Sequence, residues 1–215
     1  MLVQIALFDG FGVMDALAPY DVLCAGALAT GGALRVEFAT AEGAREVPSG
    51  PAGLKIAATA RLDPERAKII LVPGAAGRTN GDGPDTIPAL LGRALESGLA
   101  AILRRAMARP EVTVSTVCGG SMLLAMSGLL AGRNAVTNHL ALDLLAHSGA
   151  KVIPARVVDD GDLVTSGGVT SGIDLGLYLL EREFGPRVAY AIEQLFEHER
   201  RGTTWRAQGL EPLPI

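Results

Sequence analysis

Residues 112–126 read VTVSTVCGGSMLLAM. A run of β-branched residues passes through three small ones into a run of helix formers, with no room between for a hairpin or a long loop. Such a joint is a βα turn, and a strand that leaves directly into a helix must rejoin its sheet by a crossover. The rest of the chain repeats the pattern. Continuous apolar runs at Val3–Phe8 and 67–72 mark strands covered on both faces. A third strand is predicted at 34–38. Helices are predicted over 15–28, from the polar loop GRTNGDGPDT through Arg109, over 139–147, Ser171–Phe184 and 186–199.

Smaller features fill the intervals. Residues 41–63 carry a hairpin around VPSGPAGLKIAA. The stretch LLAGRNAVTN reads as a helix stop and a short strand, and a further strand lies near 151–153. VVDDGDLVTSGG reads as a hairpin turning at Asp160-Gly161. No repeat or linker interrupts the order. The expectation is one α/β domain over 1–200, a mostly parallel sheet with helices on both faces, followed by an irregular tail over 201–215.

Composition removes several function classes. The formal net charge is −4, with both signs scattered, so no basic surface for nucleic acid is expected. The N-terminus lacks a basic region before its apolar run, and no apolar run nears the ~20 residues of a membrane span. Two cysteines form no disulfide framework and fit a reducing cytoplasm. Three separated histidines without cysteine neighbours give no zinc pattern and no cofactor is implied.

In sheets of this class, sites form at the carboxyl ends of strands. Four loops there are rich in glycine: DGFGVMD (9–15), PGAAG (73–77), CGG (118–120) and SGG (166–168). Cys118 at a strand-to-helix turn has the placement of a nucleophile elbow, and a helix N-terminus is expected to lower its pKa. The alternative is a small residue filling a tight turn. N–H groups of Gly119 and of the PGAAG loop could face an oxyanion. Asp15 could reach the Cys118 sulfur and move protons, or simply N-cap its helix.

Other residues are weighed beside these. Gly10-x-Gly12 with Glu37 resembles part of a dinucleotide fingerprint, but Asp15 stands where the third glycine would be and would repel a pyrophosphate. Cys24, inside YDVLCAGAL, reads as a core cysteine. His139 could approach the site. His147 reads as a helix-end histidine and His198 as a solvated one. Ser171-x-x-Asp174 reads as a capping box.

MDALAPYDVL, ILVPGAAG, VSTVCGGSMLLAMSGLLAGRNAVTNH and LVTSGGVTSGIDLGLYLLEREFG together resemble the ThiJ/PfpI superfamily, from Val3 to about Phe184. The nearest likeness is to its isocyanide hydratases and to the amidotransferase-like domains of AraC-type regulators. The resemblance implies a flavodoxin-like three-layer sandwich and a cytoplasmic homodimer acting on a small molecule. It places the catalytic cysteine at Cys118, its acidic partner at Asp15, and substrate or oxyanion contacts at Gly74, Ala75, Gly119, Asn138, His139 and Gly168. Gly119 stands where hydratases usually carry threonine, Ala75 where they carry glycine, and Asn138 where histidine is frequent. Gly119 also stands where the protease branch carries histidine, and His198-Glu199 lacks the His-x-Glu spacing of amidotransferases. The 215 residues hold no helix-turn-helix module of the regulator kind. Cysteine-dependent hydration of a small electrophile is the leading expectation. Glyoxalase- or deglycase-like attack on small aldehydes and a non-catalytic redox-sensing role are the alternatives.

Overall fold

The computed structural model describes residues 1–51 and 53–210. The strands are β1 Leu2–Ala6, β2 Arg35–Thr40, β3 Arg45–Pro48, β4 Lys55–Ala58, β5 Ala60–Arg61, β6 Ile69–Val72 and β7 Thr113–Val117. They continue with β8 Asn134–Ala135, β9 Lys151–Val152, β10 Val157–Asp159, β11 Leu163–Ser166 and β12 Trp205–Arg206. The helices are α1 Val13–Ala29, α2 Ile87–Ala94, α3 Ala100–Met107, α4 Gly120–Met126, α5 Leu142–His147, α6 Ser171–Phe184 and α7 Pro186–Phe196.

Eight strands form one sheet in the order β12-β10-β11-β7-β6-β1-β2-β5. Every pair is parallel except the β10–β11 hairpin, which turns at Asp160-Gly161 as its Asp-Gly signal requires. Helices α1, α6 and α7 pack on one another, and α2, α3, α4 and α5 form a second group. The result is a flavodoxin-like α/β sandwich. Its inner strands β6, β7 and β11 are buried along their whole length, which is why apolar and β-branched residues dominate them. The 41–63 excursion holds the β3–β4 hairpin.

The strand order brings the glycine loops together. From β1 the chain steps one way to β2 and later the other way to β6, then on to β7. The crevice outside the carboxyl ends of β1 and β6 is therefore a topological switch point. The loops leaving β1, β6, β7 and β11, four adjacent strands, are the four that sequence marked by glycine.

Two elements differ from expectation. The long helix ending near Arg109 is broken: Gly98 takes φ 93 inside a π turn at Leu95–Leu99, and α3 restarts at Ala100. A left-handed glycine cannot continue an α-helix, and nothing in the surrounding helix formers betrays the break. The segment after residue 200 is not wholly irregular. Trp205–Arg206 pairs with Val158–Asp159 and extends the sheet by one edge strand. Two residues are too few to show a period in sequence. Residues 211–215 of the expected tail lie outside the described residues.

Candidate active site

The elbow after β7 is strained and firmly held. Cys118 takes φ 56, a left-handed conformation that costs a residue with a Cβ roughly 1–2 kcal/mol. Its N–H donates to the carbonyls of Gly167 (2.9 Å) and Ser166 (3.2 Å), and its own carbonyl accepts from Thr137 Oγ1 at 2.8 Å. Three bonds from two neighbouring loops thus hold the backbone in a shape it would not choose. Below it, Thr116 Oγ1, Ser121 Oγ and the Val136 carbonyl form a buried chain with 2.6 Å links.

The two glycines after Cys118 have different reasons. A Cβ on Gly120 would lie 2.1 Å from the Val72 carbonyl oxygen, so only glycine lets α4 start against the end of β6. A Cβ on Gly119 would meet nothing closer than the Gly74 Cα at 3.6 Å, an ordinary contact, and its φ of −65 suits any residue.

Four groups converge on the sulfur. Asn138 Nδ2 donates to Sγ at 3.5 Å, the N–H groups of Val169 and Gly119 favour its anionic form, and the Asp15 carboxyl, beside Gly74 with the Gly119 N–H, is near enough for its charge to act on the thiol. Val169 itself takes φ 39, a second strained residue, and this one is β-branched. Asn138 is oriented by the Leu140 N–H, which donates to its Oδ1 at 3.0 Å. Gly168 lies behind Asn138: a Cβ there would come 2.6 Å from Nδ2.

Asp15 is 3% exposed, in the first turn of α1. It is not the N-cap; Gly12 is. Its Oδ2 accepts from the Gly74 N–H at 3.2 Å, so that N–H is committed to the carboxylate and is not free for an oxyanion. The next N–H, that of Ala75, has no acceptor among the described residues. It lies 3.8 Å from where a Gly119 Cβ would be. Ala75 faces the site because its neighbours alone bridge to the β1 loop, Gly12 N–H to Gly74 O and Ala76 N–H to Gly10 O.

Burial pushes Asp15 up to about 7, against the pull of its bonds from Cys118 and Gly74. The thiol is also pushed up, first by burial and then by the Asp15 carboxylate, and the donors Val169, Asn138 and Gly119 offset only part of this. This corrects the expected low thiol pKa. Helix α4 has only seven residues, and the nearest charge to the sulfur is negative, not positive. The Asp15 charge raises the pKa of the thiol, so the titrations of the two groups are coupled.

A cavity of about 350 Å³ opens above the sulfur. Cys118, Gly119, Ala75 and Asn138 line its floor, and Ile87, Leu91, Met122, Leu140 and Leu144 are among its apolar walls. The structure therefore assembles Cys118, Asp15, Gly74, Ala75, Gly119 and Asn138, with Gly168 one layer back. It does not bring in His139, which is exposed and is not among the lining residues.

Sequence reading missed Val169, Thr137 and the apolar walls. The walls had a signal, the helical i, i+4 spacing of Leu140 and Leu144. Val169 had none, since no residue type announces a strained φ. Elsewhere, Asp174 is no capping-box residue. Thr170 takes the N-cap position of α6 without a side-chain cap bond, and the Asp174 carboxylate accepts from Arg156 Nε (2.6 Å) and the Arg201 N–H (3.1 Å), with His198 Nε2 3.4 Å away. His198 is thereby half-buried and not simply solvated. Cys24 is half-buried beside Tyr20, and not in the core. Glu37 is taken up by Gln4 and Arg35. His147 sits at the end of α5, where its Nδ1 pairs with the Asp143 carbonyl at 2.6 Å. Among the described residues no three His, Cys, Asp or Glu side chains cluster as metal ligands, and no helix is long and apolar enough to cross a membrane.

The chain is similar to isonitrile hydratase of Pseudomonas putida, 35% identical over 130 residues, or 60% of this chain and 51% of that protein. It is also similar to the HTH-type transcriptional regulator CdhR of Pseudomonas aeruginosa, 34% identical over 106 residues, 48% of this chain and 31% of the regulator. The matches thus span about half of the first protein and a third of the second. Among solved structures, a ThiJ/PfpI family protein from Pseudomonas syringae superposes with TM-score 0.74 and 26% identity over 94% of this chain and 76% of that one. Drosophila melanogaster DJ-1beta shares the fold at TM-score 0.76 and 17% identity, over 93% and 98% of the two chains. The profile of the DJ-1/PfpI family matches residues 1–182, which include every group now placed around Cys118. With its elbow, its sheet order and that match in agreement, this chain belongs to the DJ-1/PfpI family.

Proposed function

We propose that the protein adds water to a small electrophile through Cys118, and that the electrophile is an isocyanide converted to its N-substituted formamide. The observation that carries this reading is an elbow cysteine brought together with a buried carboxyl, Asp15, whose burial holds its pKa up to about 7, with no histidine among the residues lining the cavity. Hydration of an isocyanide needs one group that is both nucleophile and leaving group, and one that gives and takes protons near neutral pH. The similarity to isonitrile hydratase supports the same reading.

The atoms balance as follows. Sγ attacks the terminal carbon, and the proton held by the Asp15–Cys118 pair ends on that carbon, giving a thioimidate. Water then adds to the same carbon. One of its protons goes to nitrogen and the other returns to the pair as the carbon–sulfur bond breaks. Asn138 and the N–H groups of Val169 and Gly119 stabilise the sulfur while it is anionic, before attack and after release.

Purified protein should convert p-nitrophenyl isocyanide to the formamide, followed by chromatography, and Cys118→Ala should abolish turnover. Full activity in that variant would end the proposal. A second reading, attack on a small aldehyde, draws on the Ala75 N–H, which has no acceptor and could receive an alkoxide. Lactate formed from methylglyoxal, with no formamide from isocyanides, would select it. The expected second copy of the chain belongs to the same proposal. Light scattering that reads only a single 22.2 kDa species would remove it.

A further inference from the structure

The cavity above Cys118 is unusual in what it lacks. None of its lining residues is Lys, Arg, His, Asp or Glu; the polar side chains that reach it are Thr79, Asn80 and Asn138. An ionised group bound there would lose water and gain no counter-charge. An anion would in addition approach the Asp15 carboxylate behind the sulfur. The walls at Ile87, Leu91, Met122 and Leu144 offer dispersion contact and apolar burial instead.

Gly119 decides how much of that space a ligand can use. It sits beside the nucleophile on the cavity floor, and the fold does not demand glycine there: a Cβ would lie 3.6 Å from Gly74 Cα, 3.8 Å from Ala75 N and 4.0 Å from Leu91 Cδ1. The contrast with Gly120, whose Cβ would collide with the Val72 carbonyl oxygen, makes the point within one tripeptide. A side chain at 119, one residue after the nucleophile, would grow against Leu91 and take up part of the cavity. Its absence leaves that wall bare for a substituent carried by the reacting carbon.

We propose that Gly119 is a specificity-determining position, and that it opens the Cys118 cavity to electrophiles carrying a bulky, uncharged, apolar substituent. For isocyanides this deepens the hydration reading and rests on it. The selectivity of the cavity is nevertheless a property of the thiol's surroundings and is measurable without turnover.

The experiment measures alkylation of Cys118 in the intact protein by N-benzyl iodoacetamide, iodoacetamide and iodoacetate, located by mass spectrometry and normalised to glutathione. The benzyl reagent should be favoured over iodoacetate by at least about tenfold beyond its ratio with glutathione, the scale on which an apolar pocket discriminates. Gly119→Thr should reduce the benzyl-to-iodoacetamide ratio by about tenfold. Leu144→Lys, at a residue 61% exposed and therefore safe for folding, should raise the rate with iodoacetate relative to the benzyl reagent. Equal normalised rates for the three reagents would overturn the proposal, as would ratios unmoved by either substitution. Hydration is scored separately with cyclohexyl isocyanide and isocyanoacetate. Selective alkylation without formamide from either would refute the hydration reading and leave the cavity assignment standing.

Discussion

The burial of Asp15 beside Cys118 bears on both reactivity and stability. In the folded protein Asp15 titrates at about 7, above its ordinary 3.8. The folded state therefore holds a proton that the unfolded chain has lost across that interval. This contribution is fully present below 3.8 and disappears as pH rises through 7. Asp15→Asn should be more stable than the parent at pH 8, by up to about 4 kcal/mol, and show little of that gain near pH 3.5. Urea unfolding at the two pH values checks it. The same variant should lower the thiol pKa, because the carboxylate that disfavours thiolate is gone while Val169, Asn138 and Gly119 still donate. Thiolate absorbance near 240 nm against pH reads this directly; an unmoved curve would mean the two groups do not interact. In the parent, kcat/KM for the proposed reaction should rise as pH passes through about 7, when the pair drops from two protons to one.

At the scale of elements, the site depends on two turns, the elbow and the 167–170 loop, each strained at one residue. Val169 is 43% exposed, so little burial repays its left-handed φ of 39. Val169→Asn, a residue that tolerates this region, should stabilise the fold by about 1 kcal/mol in thermal unfolding. A loss of stability would show that the valine side chain supports the turn in some other way. The loop is held from outside as well. Arg156 spans Thr170 Oγ1 (3.0 Å) and the Asp174 carboxylate (2.6 Å), the latter with side-chain exposure of 4%. Asp174→Ala should cost about 3 kcal/mol in urea unfolding, because it strands Arg156 and the Arg201 N–H together. The backbone strain of neither turn was legible in the sequence. Gly167 and Gly168 announce a bend, but which residue takes a positive φ depends on what the bend must reach, here the sulfur of Cys118 in the turn after β7.

For the molecule as a whole, the sheet order is what makes separate motifs one site. Gly120→Ala tests that dependence, since its Cβ would meet the Val72 carbonyl oxygen and force α4 off the end of β6. We expect a soluble yield and melting temperature well below those of Gly119→Ala, its immediate neighbour, assayed side by side by thermal unfolding. Equal melting temperatures would contradict the packing described. The two glycines are indistinguishable in sequence. A Cβ on one would collide with backbone of the neighbouring strand loop and on the other would make only ordinary contacts, a difference that only the packing of β6 against β7 creates.

The alternation of buried strands and helices was legible because its causes are local. Side-chain period, β-branching and turn chemistry act within a few residues, so VTVSTVCGGSMLLAM announces its βα joint unaided. The glycine loops, the absence of a cysteine framework and the positions of Cys118 and Asp15 follow from the same local grammar. What the tertiary structure alone decided is energetic. Burial raised both pKa values where a helix end had suggested a lowered thiol, and a committed hydrogen bond took Gly74 out of the oxyanion role. His139 turned to solvent while Asn138 turned to the sulfur. Each of these depends on which atoms distant segments bring within about 4 Å of one another, the range over which desolvation, charge and hydrogen bonds act.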